Sequence, residues 1–132
     1  MSENKDSIAE WLRFSDMDRQ YAIHGFETMY PKPLELICFH CQQACEKALK
    51  AIIILHGEMP EKTHDMDKII KKIKTWYDVP EALIVKSRSL TKYATTMRYP
   101  DSPEIDEALT KKALKDMDAL IAWAKEILEK IE

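Results

Sequence analysis

His40, Gln43, Lys47 and Lys50 follow one another at steps of 3, 4 and 3 residues, the spacing that keeps side chains on one stripe of a helix. Two ammonium groups, an imidazole and a carboxamide in a row offer compact positive charge beside hydrogen-bonding groups, which is what a phosphate or nucleotide needs. A solvated face of a Lys-rich helix has the same pattern, so the stripe alone does not choose between ligand and water. Further on, Lys92, Tyr93, Arg98 and Tyr99 place two cations and two aromatics ahead of Pro100. An Arg beside a Tyr can pair with a phosphate and stack on a base, or it can pin the loop that follows.

Cys38 and Cys41 have the C-x2-C spacing of a zinc site, with Cys45 and His40 close by. Against zinc, Cys38, Cys41 and Cys45 share a helical stripe with Leu34, Ala48 and Ile52, where a free Cys acts as a small core residue. An odd count of 3 cysteines makes no complete disulfide framework and suits a reducing compartment. Gly25 and Gly57 are the only glycines, so a P-loop, a dinucleotide fingerprint and a serine nucleophile elbow are all excluded. The histidines at 24, 40, 56 and 64 lack the i,i+4 pairing of zinc enzymes. Neither a metal nor a cofactor is expected.

Helices must position these residues. The first block runs from about Ser7, a plausible cap, to Tyr30, where Pro31 and Pro33 stop it. Its apolar face is interrupted by Ser15 and Arg19. The second opens at Pro33 and closes at His56-Gly57, with Gly57 suited to the left-handed position after a helix. Thr63 reads as the cap of a third helix from His64 to Tyr77, Pro80 opens a fourth that ends before Pro100, and a fifth runs from Pro103 to the C-terminus. Leu36, Phe39 and Ile54 lie on the side of the second helix opposite Cys41 and Ala48, so that helix is apolar almost all round. It should be central, and the surplus apolar side is the candidate interface of a two-fold homodimer.

With 132 residues there is room for one domain, 1–132. A composition 45% hydrophobic and 33% charged, with 2 Gly and no period-2 alternation, predicts an all-α fold: a five-helix up-and-down antiparallel bundle. A net charge of -3 gives no global positive field for nucleic acid, so any RNA contact must be a local patch. No apolar run reaches the roughly 20 residues of a membrane span, and the polar start MSENKDS is unlike a signal peptide, so the expected location is the cytoplasm.

The segment FHCQQACEKALKAIIILHG from Phe39, followed by KTHDMDKII and by the RYP of Arg98 to Pro100, resembles the HEPN domain (higher eukaryotes and prokaryotes nucleotide-binding). WLRFSDMDRQYA from Trp11 is similar to that family's first helix, with Asp18 at the acidic position. The resemblance implies a five-helix bundle, a homodimer, and a place beside a minimal nucleotidyltransferase in a toxin-antitoxin-like two-component module. It also implies a question about nuclease activity. Many members cleave RNA without metal through Arg-x4-6-His, the Arg stabilising phosphate charge and the His moving a proton. Here no His follows Arg98, and the literal match Arg19 to His24 falls in the first helix with Arg19 on its inward stripe. The expected function is therefore a nucleotide-binding accessory subunit, with ATP or GTP held by His40, Gln43, Lys47, Lys50, Arg98 and Tyr99. Two alternatives stay open: a metal-independent ribonuclease toxin built on Arg98 with His40 or His64, and a non-catalytic adaptor homodimer.

Overall fold

In a computed structural model of the chain, which describes residues 2–94, 100–101 and 104–130, the described backbone is helical and contains no strand. Helix α1 spans Ser2–Thr28, α2 Leu34–Leu55, α3 Met66–Ile73, α4 Glu81–Thr91 with a single 3-10 turn Lys92–Ala94 after it, and α5 Glu107–Glu129. The all-α, five-helix expectation holds. Several boundaries move, each for a local reason. No breaker separates residues 2–6 from Ser7, so α1 begins a turn and a half earlier. At its other end, Lys32 donates to the carbonyl of Phe26 at 2.8 Å, which has no helical partner beyond Thr28, and the Thr28 hydroxyl donates back to the carbonyl of His24 at 2.6 Å.

Helix α2 opens behind Pro33, which has no N–H to satisfy, and closes where Gly57 takes φ +79 and donates to the carbonyl of Ile54. The cap of α3 is Asp65 rather than Thr63: Asp65 Oδ1 accepts from the Asp67 N–H at 2.9 Å, and Thr63 Oγ1 accepts from the Asp65 N–H at 3.1 Å, so the two act in series. Asp106 caps α5 by accepting from the Leu109 N–H at 2.8 Å, three residues beyond the expected start at Pro103.

Trp11, Ser15, Asp18, Ala22 and Gly25 form the α1 edge that lies on α2. A Cβ on Gly25 would stand 3.2 Å from Ile37 Cγ1, so glycine permits the close approach there. The interruptions of the apolar face now have partners: the buried Ser15 hydroxyl donates to the carbonyl of Ala44 at 2.7 Å, and Arg19 Nε donates to Asp118 on α5 at 2.8 Å. Contacts between early α1 and late α2, such as Ser15 with Ala44 and Gly25 with Ile37, make this pair antiparallel.

Helices α3 and α4 are antiparallel too, with Met66 meeting Thr91 and Asp67 meeting Arg88. Alternation is interrupted between α2 and α3, because the connection after His56 runs back along α2 and sets Thr63 and His64 beside Lys50 and Glu46. The pairs Cys38–Thr110 and Cys45–Met117 advance together, so α5 runs in the same direction as α2. Helix α2 is the centre of the molecule, touching every other helix, and its fully buried Ile37, Leu49 and Ile52 form the middle of the core with Met66, Met117 and Leu120.

Candidate functional site

The polar stripe of α2 is organised by two carboxylates. Asp18, on α1 and 9% exposed, accepts from His40 Nδ1 at 2.8 Å through one oxygen and from the Lys47 ammonium through the other. Burial alone would push this carboxyl up, but the hydrogen bonds from His40 and Lys47 and the charge of Lys47 outweigh it, and Asp18 is held below the ordinary carboxylate range. An ionised carboxylate only accepts, so His40 carries its hydrogen on Nδ1 in this bond and leaves Nε2 free. The Tyr21 ring lies against the imidazole, centroids 4.3 Å apart, and fixes its plane.

One turn further along α2, Glu46 is 4% exposed and accepts three bonds: from Gln42 Nε2 at 2.9 Å, Lys50 Nζ at 3.0 Å and His64 Nδ1 at 2.9 Å. The Lys50 ammonium also donates to the Thr63 carbonyl at 3.0 Å and stands over the Trp11 ring at 5.9 Å. Gln43 Nε2 donates to Gln42 Oε1 at 2.7 Å, extending the Glu46 group. The same unit thus occurs twice, a carboxylate holding one lysine and the Nδ1 edge of one histidine. Each carboxylate is matched by a lysine charge, and every buried side-chain polar atom among the described residues has a partner.

His40, Gln43 and Lys47 are brought together on one partly open seam between α1 and α2, His40 and Lys47 each with about a quarter of the side chain exposed. Lys50 is not among them. It is buried and committed to Glu46 and the Thr63 carbonyl, because the returning connection covers that end of the stripe. Arg98 and Tyr99 lie outside the described residues. Of the candidate interface, Leu36 is 40% exposed and Phe39 half-buried with its edge on His40, whereas Ile54 is 7% exposed and covered by its own chain, so it adds nothing to a free patch.

Sequence reasoning reaches His64 only as a catalytic alternative and misses Glu46 and Gln42, whose signal is the i,i+4 run Gln42, Glu46, Lys50 that intrahelical pairing flags.

The cysteines sit in the core, and burial pushes all three thiols above their ordinary range, unlike a thiolate set poised for metal. Among the described residues no group of three or more His, Cys, Asp or Glu is arranged to hold a metal ion, and no helix there is long and apolar enough to cross a membrane. The Arg19 to His24 match is spatially empty, with Arg19 turned to Asp118 and His24 exposed in solvent. After Arg98, the positions that x4, x5 and x6 spacings would give to a histidine hold Pro103, Glu104 and Ile105, and Ile105 is buried in the core at 5% exposure.

The family profile described as HEPN domain matches residues 8–128. A solved protein of Thermus thermophilus is similar over 90% of this chain and 96% of its own, with a TM-score of 0.77 at 24% identity. An archaeal HEPN homologue matches over 90% of this chain and 95% of its own at TM-score 0.67 and 20% identity. An HEPN domain protein from Thermotoga maritima matches over 98% and 99%, with a TM-score of 0.62 at 19% identity. A comparison with curated proteins gives no significant match.

Proposed function

Since this chain belongs to the HEPN domain family, we propose that it is a non-hydrolytic nucleotide-binding subunit that works as a homodimer beside a minimal nucleotidyltransferase in a toxin-antitoxin-like two-component module. The observation that carries the non-hydrolytic part is Ile105: the last position available to a proton-transferring histidine after Arg98 is an apolar residue buried in the core. An Arg left alone can stabilise charge on a phosphate but cannot shuttle the proton that strand cleavage requires.

The ligand face in this reading is His40 with its free Nε2, the half-buried amide of Gln43, and Lys47, whose flexible stem lets the ammonium swing from Asp18 to a phosphate. Arg98 and Tyr99 complete it. A seam that carries its own carboxylates and no glycine-rich backbone donors should bind weakly, on the order of -4 to -8 kcal/mol, micromolar to millimolar. Titration of ATP and GTP, followed by amide shifts, is the test. Shifts centred on His40, Gln43 and Lys47 and weakening with salt are expected; none at millimolar nucleotide would leave the seam as fold architecture.

For the dimer, Leu36 at 40% exposure, with Phe14 and Met17 of α1 at 44% and 53%, supplies apolar surface in place of Ile54. Light scattering at micromolar concentration should give twice 15.4 kDa, and a clean monomer would end that part of the reading.

A competing reading, a ribonuclease toxin using Arg98 with His40 or His64, draws its support from those same imidazoles. Each is oriented through Nδ1 by a carboxylate and so presents Nε2 as a base would.

A further inference from the structure

The lysines of α3 are unlike those of the seam. Lys72 is paired with Glu58, but Lys62, Lys68, Lys71 and Lys74 have no acidic partner among the described residues. Of the nearby acids, Asp67 holds Arg88 at 3.1 Å and Asp65 caps its own helix, which leaves Glu61 beside four unpaired lysines. On a chain of net charge -3 this is a local concentration of unmatched positive charge. Lys68 lies at i,i+3 and i,i+4 to Lys71 and Lys72, and Lys71 at i,i+3 to Lys74, spacings at which like charges repel. An array kept at that cost is relieved by an anion.

The array borders an opening of mixed character. A cleft of about 190 Å³ opens between the end of α2 and α3, lined by the apolar Ile53, Met59, Pro60 and Ile69 and by Lys68, Glu61 and the Lys72–Glu58 pair. It shares Glu61, Lys68 and Lys72 with a shallower hollow of about 420 Å³ that continues over Lys71 and Thr75. Met59, 84% exposed, stands at the lip. A cavity of roughly 150 Å³ takes a benzene ring, so this cleft has room for one branched aliphatic or aromatic side chain.

Two features choose among anions. Single-stranded nucleic acid binds on open aromatic faces, and the aromatic nearest the array, Trp76, is already stacked on His56 at 4.1 Å with an interplanar angle of 6°. The unpaired cations are all lysines, point charges that take a carboxylate as readily as a phosphate, so the apolar slot rather than the type of cation favours a peptide. Charge complementarity together with an apolar slot fits a peptide in which one apolar residue is flanked by carboxylates.

We propose that the α2–α3 cleft and the Lys68–Lys71 face dock an acidic segment of a partner protein, its apolar anchor between Met59 and Ile69 and its carboxylates on Lys68 and Lys71. This goes beyond the nucleotide-binding reading and does not depend on it, because the surface lies on a different helix from His40, Gln43 and Lys47. The probe is a fluorescein-labelled synthetic peptide with one Leu between runs of Glu and Asp, titrated against the full chain by anisotropy. Saturable binding that weakens at high salt is expected. Loss of at least about tenfold in affinity is expected in Lys68→Glu/Lys71→Glu, in Met59→Asp, and with the Leu of the peptide replaced by Gln. Each altered residue is exposed in the fold, and the nucleotide-induced shifts at His40 and Gln43 should be untouched by the changes. The proposal is overturned if the peptide does not bind at millimolar concentration. It also fails if charge reversal leaves binding unchanged, or if an oligouridine binds more tightly than the peptide through the same lysines.

Discussion

The α1–α2 seam and the face of α3 are both rich in lysine, yet their charges stand in opposite states. In the seam, Lys47 and Lys50 are each locked to a carboxylate that is itself nearly buried, and each carboxylate also holds a histidine. On α3, Lys68 and Lys71 face solvent without a partner. A charge removed from water must be matched, whereas one left in water need not be. Pairing of the buried Lys50 therefore belongs to the architecture of the bundle, the partly exposed Lys47 keeps its pair until a ligand competes for it, and the unpaired cations of α3 are free from the start. Residue type alone does not separate the two roles.

The comparison breaks most visibly at Glu46. Glu46→Ala leaves the Lys50 ammonium buried with only the Thr63 carbonyl and the Trp11 ring beside it, and urea unfolding should show a loss of about 3–5 kcal/mol. A loss under about 1 kcal/mol, the range of an exposed pair, would mean that the seam is as solvated as α3.

A second test uses pH. The Asp18 carboxyl is held below its unfolded value of about 3.9. Its contribution to stability is therefore present above that pH and is lost as pH falls through the lower folded value. Wild-type stability should exceed that of Asp18→Asn above about pH 5, and the margin should shrink on acidification below about pH 4. A margin that persisted to the acid limit would show that the shift is not what stabilises this position.

The smallest effect is expected on α3. Lys71→Glu turns the repulsions with Lys68 and Lys74 into attractions but sets a carboxylate four residues after Asp67 and in the last turn of α3, so the changes should cancel to within about 0.5 kcal/mol, read from the thermal midpoint. Marked destabilisation would mean that Lys71 has a hidden structural partner.

How far this contrast could be read beforehand depended on whether a partner lay near in sequence. The 3, 4, 3 spacing was enough to put His40, Gln43 and Lys47 on one face, and the prolines and Gly57 punctuated the helices well. The same spacing puts Lys50 in the open stripe, because periodicity describes one helix at a time. It is buried by the carbonyl of Thr63, which returns from beyond the end of α2. Ser15 and Arg19 stood out as polar breaks in an apolar face, but their partners Ala44 and Asp118 are 29 and 99 residues away. Ile54 looked like surplus surface for the same reason. The caps at Asp65 and Asp106 were displaced from Thr63 and Pro103 by two and three residues, the ordinary ambiguity where several residues in a row can begin a helix.

Whether this HEPN chain binds without hydrolysing is tested most directly by incubating the purified protein with labelled RNA in the absence of metal. Intact RNA is predicted, since no histidine follows Arg98 and Ile105 is packed in the core where the motif would end. Metal-free cleavage that disappears in Arg98→Ala and in His40→Ala or His64→Ala, but survives in His24→Ala, would contradict the account and identify the chain as a nuclease.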